Sequence, residues 1–393
     1  MPIALLALTL SAFAIGTTEF VIVGLIPTMA HDLNVSLPSA GLLVSLYALG
    51  VAIGAPVLTA LTGSWNRKRV LLSVMALFVV GNVLAWQSPG YSTLILARIL
   101  TGLAHGVFFS IGSTIATGLV SKDKAASAIA IMFTGLTVAL VTGVPLGTYI
   151  GQTLGWQTTF LIVAILGLLA LIGSAFLVPS NLPQPPRTSL TEQAKVLAQP
   201  RLLLVFAITA LGYGGTFTAF TFIAPILENV SGFASTTISI LMLVYGASVA
   251  VGNIWGGKLA DKHGPTRALT IIFAGLSLIL LLFTFAAPHP VAAVLMVLIW
   301  GAFAFGNVPG LQVYVVKLAE HYTPKAVDVA SGLNIAAFNV GIALGSWGGS
   351  IVVKQSGLMS TPWVGAIIVA VALLLTRWSH RLDQRQPEIA RSL

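Results

Sequence analysis

Pro179-Ser-Asn-Leu-Pro-Gln-Pro-Pro-Arg-Thr-Ser-Leu-Thr-Glu-Gln-Ala-Lys-Val-Leu-Ala-Gln-Pro-Arg201 is the longest polar stretch of the chain and stands near its midpoint. Pro183, Pro185 and Pro186 bar a continuous helix through its first part, because each removes a backbone donor and crowds the preceding turn. On both sides of it the sequence is overwhelmingly apolar. Charged residues are 7% of the 393 residues and the mean hydropathy is +0.98, whereas a soluble domain carries roughly 25% charged residues. So few charges cannot clothe a water-soluble globule of this size, and most of the surface must face lipid. The polar stretch therefore reads as a linker between two membrane-embedded halves.

A membrane-spanning helix needs about 20 predominantly apolar residues. Runs of this kind lie near 4–28, 39–61, 70–88, 92–118, 126–150 and 157–178 before the linker. After it they lie near 202–228, 235–259, 267–287, 290–316, 327–352 and 361–379. The expected class is an all-α membrane protein of twelve helices. Its divisions are 1–178 and 202–380 as six-helix halves, 179–201 as linker and 381–393 as a tail. The apolar start is no signal peptide by composition: it lacks a basic leading region, since the first Lys or Arg is Arg67, and it runs on past Pro27. It reads as a retained first helix.

An internal repeat supports two halves. At an offset of 198 residues, Gly16 falls on Gly214, Pro27 on Pro225, Tyr47 on Tyr245, Gly54 on Gly252 and Arg69 on Arg267. The same register puts Gly143, Gly147 and Gly151 on Gly341, Gly345 and Gly349. Glycine matches alone would carry little weight in a chain with 39 glycines. The Pro, Tyr and Arg matches in one ungapped register carry more.

Orientation follows from Lys and Arg in short loops, which collect on the cytoplasmic side. With both termini cytoplasmic, that side holds Arg67, Lys68, Arg69, Lys122, Lys124, Arg187, Lys195, Arg201, Lys258, Lys262, Arg267, Lys317, Lys325, Arg377, Arg381, Arg385 and Arg391. Only Lys354 falls outside, and Arg98 lies within a span. The formal net charge of +9 is then a consequence of topology and not a nucleic-acid signature. The expected location is the bacterial inner membrane.

Inside the spans the ionisable residues are Glu19, Arg98 and His105. A charge near the bilayer centre is costly, so such residues by default line protein or water-filled sites. Arg98 and His105 are two helical turns apart and share one face of the fourth helix. At 1.5 Å per residue, Arg98 sits roughly 9 Å and His105 roughly 20 Å from the outer end, and Glu19 about 13 Å, between them. One reading is a protonatable carboxylate whose charge is balanced in alternation by Arg98 or by a ligand. The other is a structural ion pair between two helices, with His105 bonded to a neighbouring carbonyl.

Gly257-Lys-Leu-Ala-Asp-Lys-His-Gly-Pro-Thr-Arg267 closes the eighth helix. Gly264 permits a tight turn, Asp261 is placed to face a helix N-terminus, and Lys262 and Arg267 can bridge back to it. This resembles the loop signature of the major facilitator superfamily, G-x-L-A-D-[RK]-x-G-x-[RK]-[RK]. Its counterpart 198 residues earlier keeps the basic residues but has Thr59, Gly63 and Asn66 where the signature has glycine, aspartate and glycine. Arg98-Ile-Leu-Thr-Gly-Leu-Ala-His-Gly106 resembles the fourth-helix motif of the same family. Gly143-Val-Pro-Leu-Gly147, with Gly151 and Gly155, resembles its fifth-helix antiporter motif. Independently, glycines four apart give a flat face for close packing, and Pro145 adds a bend. Thr17-Thr-Glu-Phe-Val-Ile-Val-Gly-Leu-Ile-Pro27 and Gly155-Trp-Gln-Thr-Thr-Phe160 are similar to the bacterial sugar- and drug-efflux branch, including the arabinose-efflux permeases.

The resemblance implies two pseudo-symmetric six-helix halves with a substrate cavity lined by helices 1, 4, 7 and 10. That would expose Glu19, Arg98, His105, Phe109 and Asn307, with Asn334 and Asn339 on helix eleven nearby. Nucleotide energy is unsupported: Gly252-Asn-Ile-Trp-Gly-Gly-Lys258 matches most of a Walker A pattern, but Leu259 replaces the Ser/Thr and no strand precedes it. With no cysteine and few embedded ionisables, neither a thiol nucleophile nor a metal site is expected. The expectation is a non-enzymatic secondary transporter, a monomer without cofactor. It would export a sugar, drug or related metabolite against a proton gradient through Glu19. An importer or uniporter of the same fold stays open, as does an intramembrane enzyme or scaffold.

Overall fold

A computed structural model describes residues 2–121, 124–182 and 190–385. Lys122, Arg187, Arg391, Pro183, Pro185 and Pro186 lie outside them. Among the described residues, 12 helices are long and apolar enough to cross a membrane. In chain order they are α1 (Ala4–Asp32), α2 (Leu37–Leu61), α3 (Arg67–Trp86), α4 (Tyr91–Gly118), α5 (Ser127–Leu154) and α6 (Trp156–Leu177), then α7 (Pro200–Asn229), α8 (Ser235–His263), α9 (Pro265–Ala286), α10 (Pro290–Tyr322), α11 (Val327–Ser356) and α12 (Ser360–Gln384). Several outlast their apolar runs by a turn or more at the end bearing the termini. α10 continues through Lys317 to Tyr322, and α12 through Arg381 to Gln384. Hydropathy marks where lipid ends, but a backbone helix stops only where its own bonding stops.

The described second part of the linker is helical, which its polarity does not suggest. Leu190–Leu197 forms a short helix, Val196 is fully buried, and Gln193 Nε2 donates to the Pro56 carbonyl at 3.2 Å. The link thus clasps α2.

Pairing is the same in the two sets of six. α1 packs on α5 and α6, α2 on α4, and α3 on α4 and α6. Six helices later, α7 packs on α11 and α12, α8 on α10, and α9 on α10 and α12. Glycine makes the closest crossings possible. A Cβ on Gly102 would meet the Tyr47 carbonyl, and one on Gly106 the Val51 carbonyl; in the second set Gly252 and Gly256 press on Ala302 and Gly306.

Two spans contain π-turns that hydropathy could not reveal, Gly54–Leu58 in α2 and Ala139–Gly143 in α5. The first holds Pro56 and the second ends just before Pro145. Proline lacks the N–H that would close an α-turn and crowds the carbonyl four residues back, so the wider turn absorbs it. Beyond that turn Gly143, Gly147 and Gly151 face Thr17, Val21 and Leu25 of α1.

The two sets meet through α2 against α11 and α5 against α8. The Ser45 hydroxyl donates to the Ala343 carbonyl at 2.6 Å, and Gly41 lies against Phe222 and Ser350. These contacts lie towards the end of the molecule opposite the termini. Phe20, at mid-depth of α1, touches Phe217 and Phe305. At the terminal end the linker helix supplies the contact.

Candidate functional site

Glu19 sits mid-way along α1 and is buried. Its Oε2 is 3.9 Å from Nδ1 of His105 on α4. The same Nδ1 shares a 2.9 Å hydrogen bond with the Tyr47 hydroxyl of α2. When the imidazole is neutral, Nδ1 either accepts from Tyr47 or carries the hydrogen itself. Its tautomer therefore decides whether it can donate toward the carboxylate. His105 is thus not bonded to a neighbouring carbonyl, the alternative its sequence setting suggested.

Arg98, one turn of α4 above Thr101 and 1% exposed, makes no ion pair with Glu19. Its Nη1 donates to the Thr18 carbonyl at 2.8 Å and its Nε to the Leu43 carbonyl at 3.3 Å. The guanidinium carbon lies 4.1 Å from the Tyr47 ring centroid. Arginine suits this place because its planar fork can bond carbonyls and stack on a ring at once. The guanidinium thus ties α4 to α1 and α2. Nη2 has no partner. Thr18, beside Glu19, donates from Oγ1 to Asn82 Oδ1 of α3 at 2.9 Å. Three helices therefore hold the backbone and flanks of the carboxylate.

Phe109 packs on His105 with ring centroids 5.0 Å apart and closes the site from the next turn of α4. Across the interface the lining changes character. Phe20 sits against Phe217 and Phe305, and Tyr213 contacts Phe217, Phe305 and Phe338. The repeat register makes the contrast explicit, since Glu19 corresponds to Phe217 and His105 to Phe303. One half supplies ionisable groups and the other supplies rings.

The hydrogen bonds of the three asparagines stay within the second half. Asn334 is consumed within the second half: Thr209 Oγ1 donates to its Oδ1, and its Nδ2 donates to Gln312 Oε1, each at 2.8 Å. It therefore braces α7, α10 and α11. Asn307 and Asn339 donate to the Ala304 and Ile335 carbonyls of their own helices, while Oδ1 of each is buried without a partner.

The Gly257–Arg267 loop corrects another expectation. Gly264 has φ +80°, the left-handed region that glycine enters at little cost. Asp261, however, is exposed, has no ion-pair or hydrogen-bonding partner among the described residues, and does not cap α9. Sequence reasoning also missed a buried ionic cluster. Arg201 at the start of α7 pairs with Asp383 near the end of α12, and Tyr314 of α10 donates to Asp383 Oδ2 at 2.8 Å. The apolar run ends before Asp383, which places it in the tail on sequence alone. The missed Tyr47 did have a signal: it is one of the few non-glycine matches of the repeat.

No group of three or more His, Asp or Glu able to hold a metal occurs among the described residues. Twelve apolar helices in two matching sets, with ionisable residues buried at mid-depth, define a polytopic membrane transporter, not an enzyme. The chain belongs to the Major Facilitator Superfamily, whose family model matches residues 8–326. It is 51% identical over 387 residues to the uncharacterized MFS-type transporter YtbD of Bacillus subtilis, covering 98% of both chains. It is 40% identical to the inner membrane transport protein YdhP of Escherichia coli, covering 98% of this chain and 97% of that one. It is 32% identical to a chloramphenicol resistance protein of Streptomyces lividans, covering 95% of each. Among solved structures, a bacterial homologue of the human lysosomal transporter Spinster, inward-facing and occupied, shares the fold with a TM-score of 0.79 at 18% identity, covering 96% of each chain.

Proposed function

We propose that this transporter is a proton-coupled exporter of a small, partly apolar solute, with Glu19 as the group that loads and releases the proton. The observation that carries the reading is the placement of Glu19 beside a histidine with no other cation within ion-pairing distance. A carboxylate buried there needs either a proton or a cationic partner to be tolerated. That requirement makes its protonation and the occupancy of the adjoining space compete, which is the basis of antiport. The second half supplies rings opposite it, and aromatic faces favour apolar or planar solutes. The relative named for chloramphenicol resistance supports a drug-like cargo and the outward direction. The basic loops support cytoplasmic termini, the name of the Escherichia coli relative supports an inner-membrane location, and the arrangement described would then be closed on the outer side.

The test is accumulation in inverted vesicles energised with a proton gradient, screening labelled chloramphenicol and a panel of other drugs and sugars. Glu19→Gln should abolish accumulation against the gradient while leaving downhill exchange intact. If the variant still accumulates substrate on a proton gradient, the carboxylate is structural and coupling lies elsewhere. An unenergised importer would instead show no substrate-driven proton release in detergent.

A further inference from the structure

The loop joining α2 to α3 carries a cavity of about 620 Å³, lined by Ser64, Trp65, Asn66, Arg69, Leu72 and Ser73. It lies at the end of the spans bearing the termini, and its lining combines one guanidinium, two hydroxyls and an amide with an indole that is 54% exposed. Asn66 caps α3, its Oδ1 accepting from the Lys68 and Arg69 amides at 3.0 and 3.4 Å. Arg69 and Ser73 lie one turn apart on an exposed face of α3 that continues to Val80, 58% exposed among apolar neighbours. In a membrane protein such a face meets acyl chains. The cavity therefore opens where the lipid-facing surface of α3 reaches headgroup depth.

Charge supplies the second argument. Arg67, Lys68 and Arg69 are consecutive, and the sequence contains no Asp or Glu between Asp32 and Asp123. None of the three basic side chains forms an ion pair among the described residues. Arg67 is 6% exposed with Nε and Nη1 lacking any partner. In the repeat register the second half has Asp261 where this loop has Gly63. The first half thus keeps the cations of the loop and lacks the internal anion.

We propose that this cavity binds the headgroup of an anionic phospholipid. The phosphate is held by Arg69 and the hydroxyls of Ser64 and Ser73, Trp65 sits at the interface, and one acyl chain lies along the Leu72–Val80 face. The lipid supplies the negative charge that Gly63 does not. A basic residue at a membrane surface gains about 1 kcal/mol from anionic lipid, or about fivefold in binding. Tryptophan prefers the same depth.

The test uses the full chain in nanodiscs with phosphatidylglycerol and phosphatidylcholine in equal amounts, followed by gentle release into detergent and native mass spectrometry of retained lipid. The wild type should retain phosphatidylglycerol preferentially. Arg69→Ala should reduce that preference about fivefold, whereas Lys354→Ala, at the opposite end, should not change it. Gly63→Asp installs the acid that the second half carries and should lower retention as well. A Cβ there would meet the Ala60 carbonyl oxygen at 3.1 Å and the Thr59 carbonyl oxygen at 3.7 Å, so the loop need shift little. Equal retention of both lipids by the wild type, or an unchanged preference in Arg69→Ala, would overturn the proposal. So would displacement of the lipid by millimolar inorganic phosphate, which would identify a free-anion site.

Discussion

Around Glu19 the chemistry is decided by which group occupies which partner. Arg98 spends its donors on the Thr18 and Leu43 carbonyls and stacks on Tyr47, so its first role is to fix the helices that carry the carboxylate. Arg98→Lys keeps the charge but cannot span two carbonyls and a ring. It should lower the thermal stability of the detergent-solubilised protein by about 1.5–3 kcal/mol, the range for bonds to a charged group; a melting temperature equal to that of wild type would refute the anchoring role. Tyr47→Phe is the complementary substitution. It keeps the ring under Arg98 and removes only the hydroxyl bonded to His105, freeing Nδ1 to change tautomer. Proton-driven accumulation should fall about fivefold, corresponding to about 1 kcal/mol for one hydrogen bond, with expression unchanged. Wild-type accumulation in Tyr47→Phe would separate the hydroxyl from coupling.

The helices owe their closeness to glycine, and the cost of a side chain there can be read from what it would touch. A Cβ at Gly345 of α11 would drive into the Gly214 backbone of α7, while at Gly332 on the same helix it would meet nothing within 4 Å. Gly345→Val should therefore destabilise by about 1–3 kcal/mol through overpacking. Gly332→Ala should be neutral or slightly stabilising, because alanine favours the helix by up to about 1 kcal/mol over glycine. Thermal unfolding of the two variants side by side checks this, and equal losses would mean that crossing distance does not set stability here. The π-turns belong to the same scale. Each lies in a helix, α2 or α5, that also contacts the opposite half, and each is associated with a proline.

For the whole molecule, the expected motion is one set of six helices rocking against the other about the central site. Asp261 has no partner among the described residues, and we propose that it acts in another arrangement of the two halves. Asp261→Asn should impair transport while leaving substrate affinity within about twofold, because a loop remote from the site biases populations without touching ligand. Much weaker binding with normal exchange would count against it. Topology has its own test. Reporter fusions after residues 65, 190 and 385 should all read cytoplasmic, and periplasmic activity at 190 would refute the pairing of two six-helix halves across the linker.

The sequence by itself determined the solvent, the number of spans and the duplication, because these depend on composition and periodicity accumulated over many residues. It also isolated Glu19, Arg98 and His105, because a charge within an apolar run is conspicuous. The tertiary structure alone decided partnership. His105 meets Tyr47 from another helix, Arg98 turns to backbone carbonyls, Asn334 is absorbed by Thr209 and Gln312, and Asp383 is drawn under Arg201. Each of these pairs joins residues distant in sequence, with at least one partner of ordinary local context. Which of them come within hydrogen-bonding distance depends on how closely glycine lets the helices approach, and that is not written in any single helix.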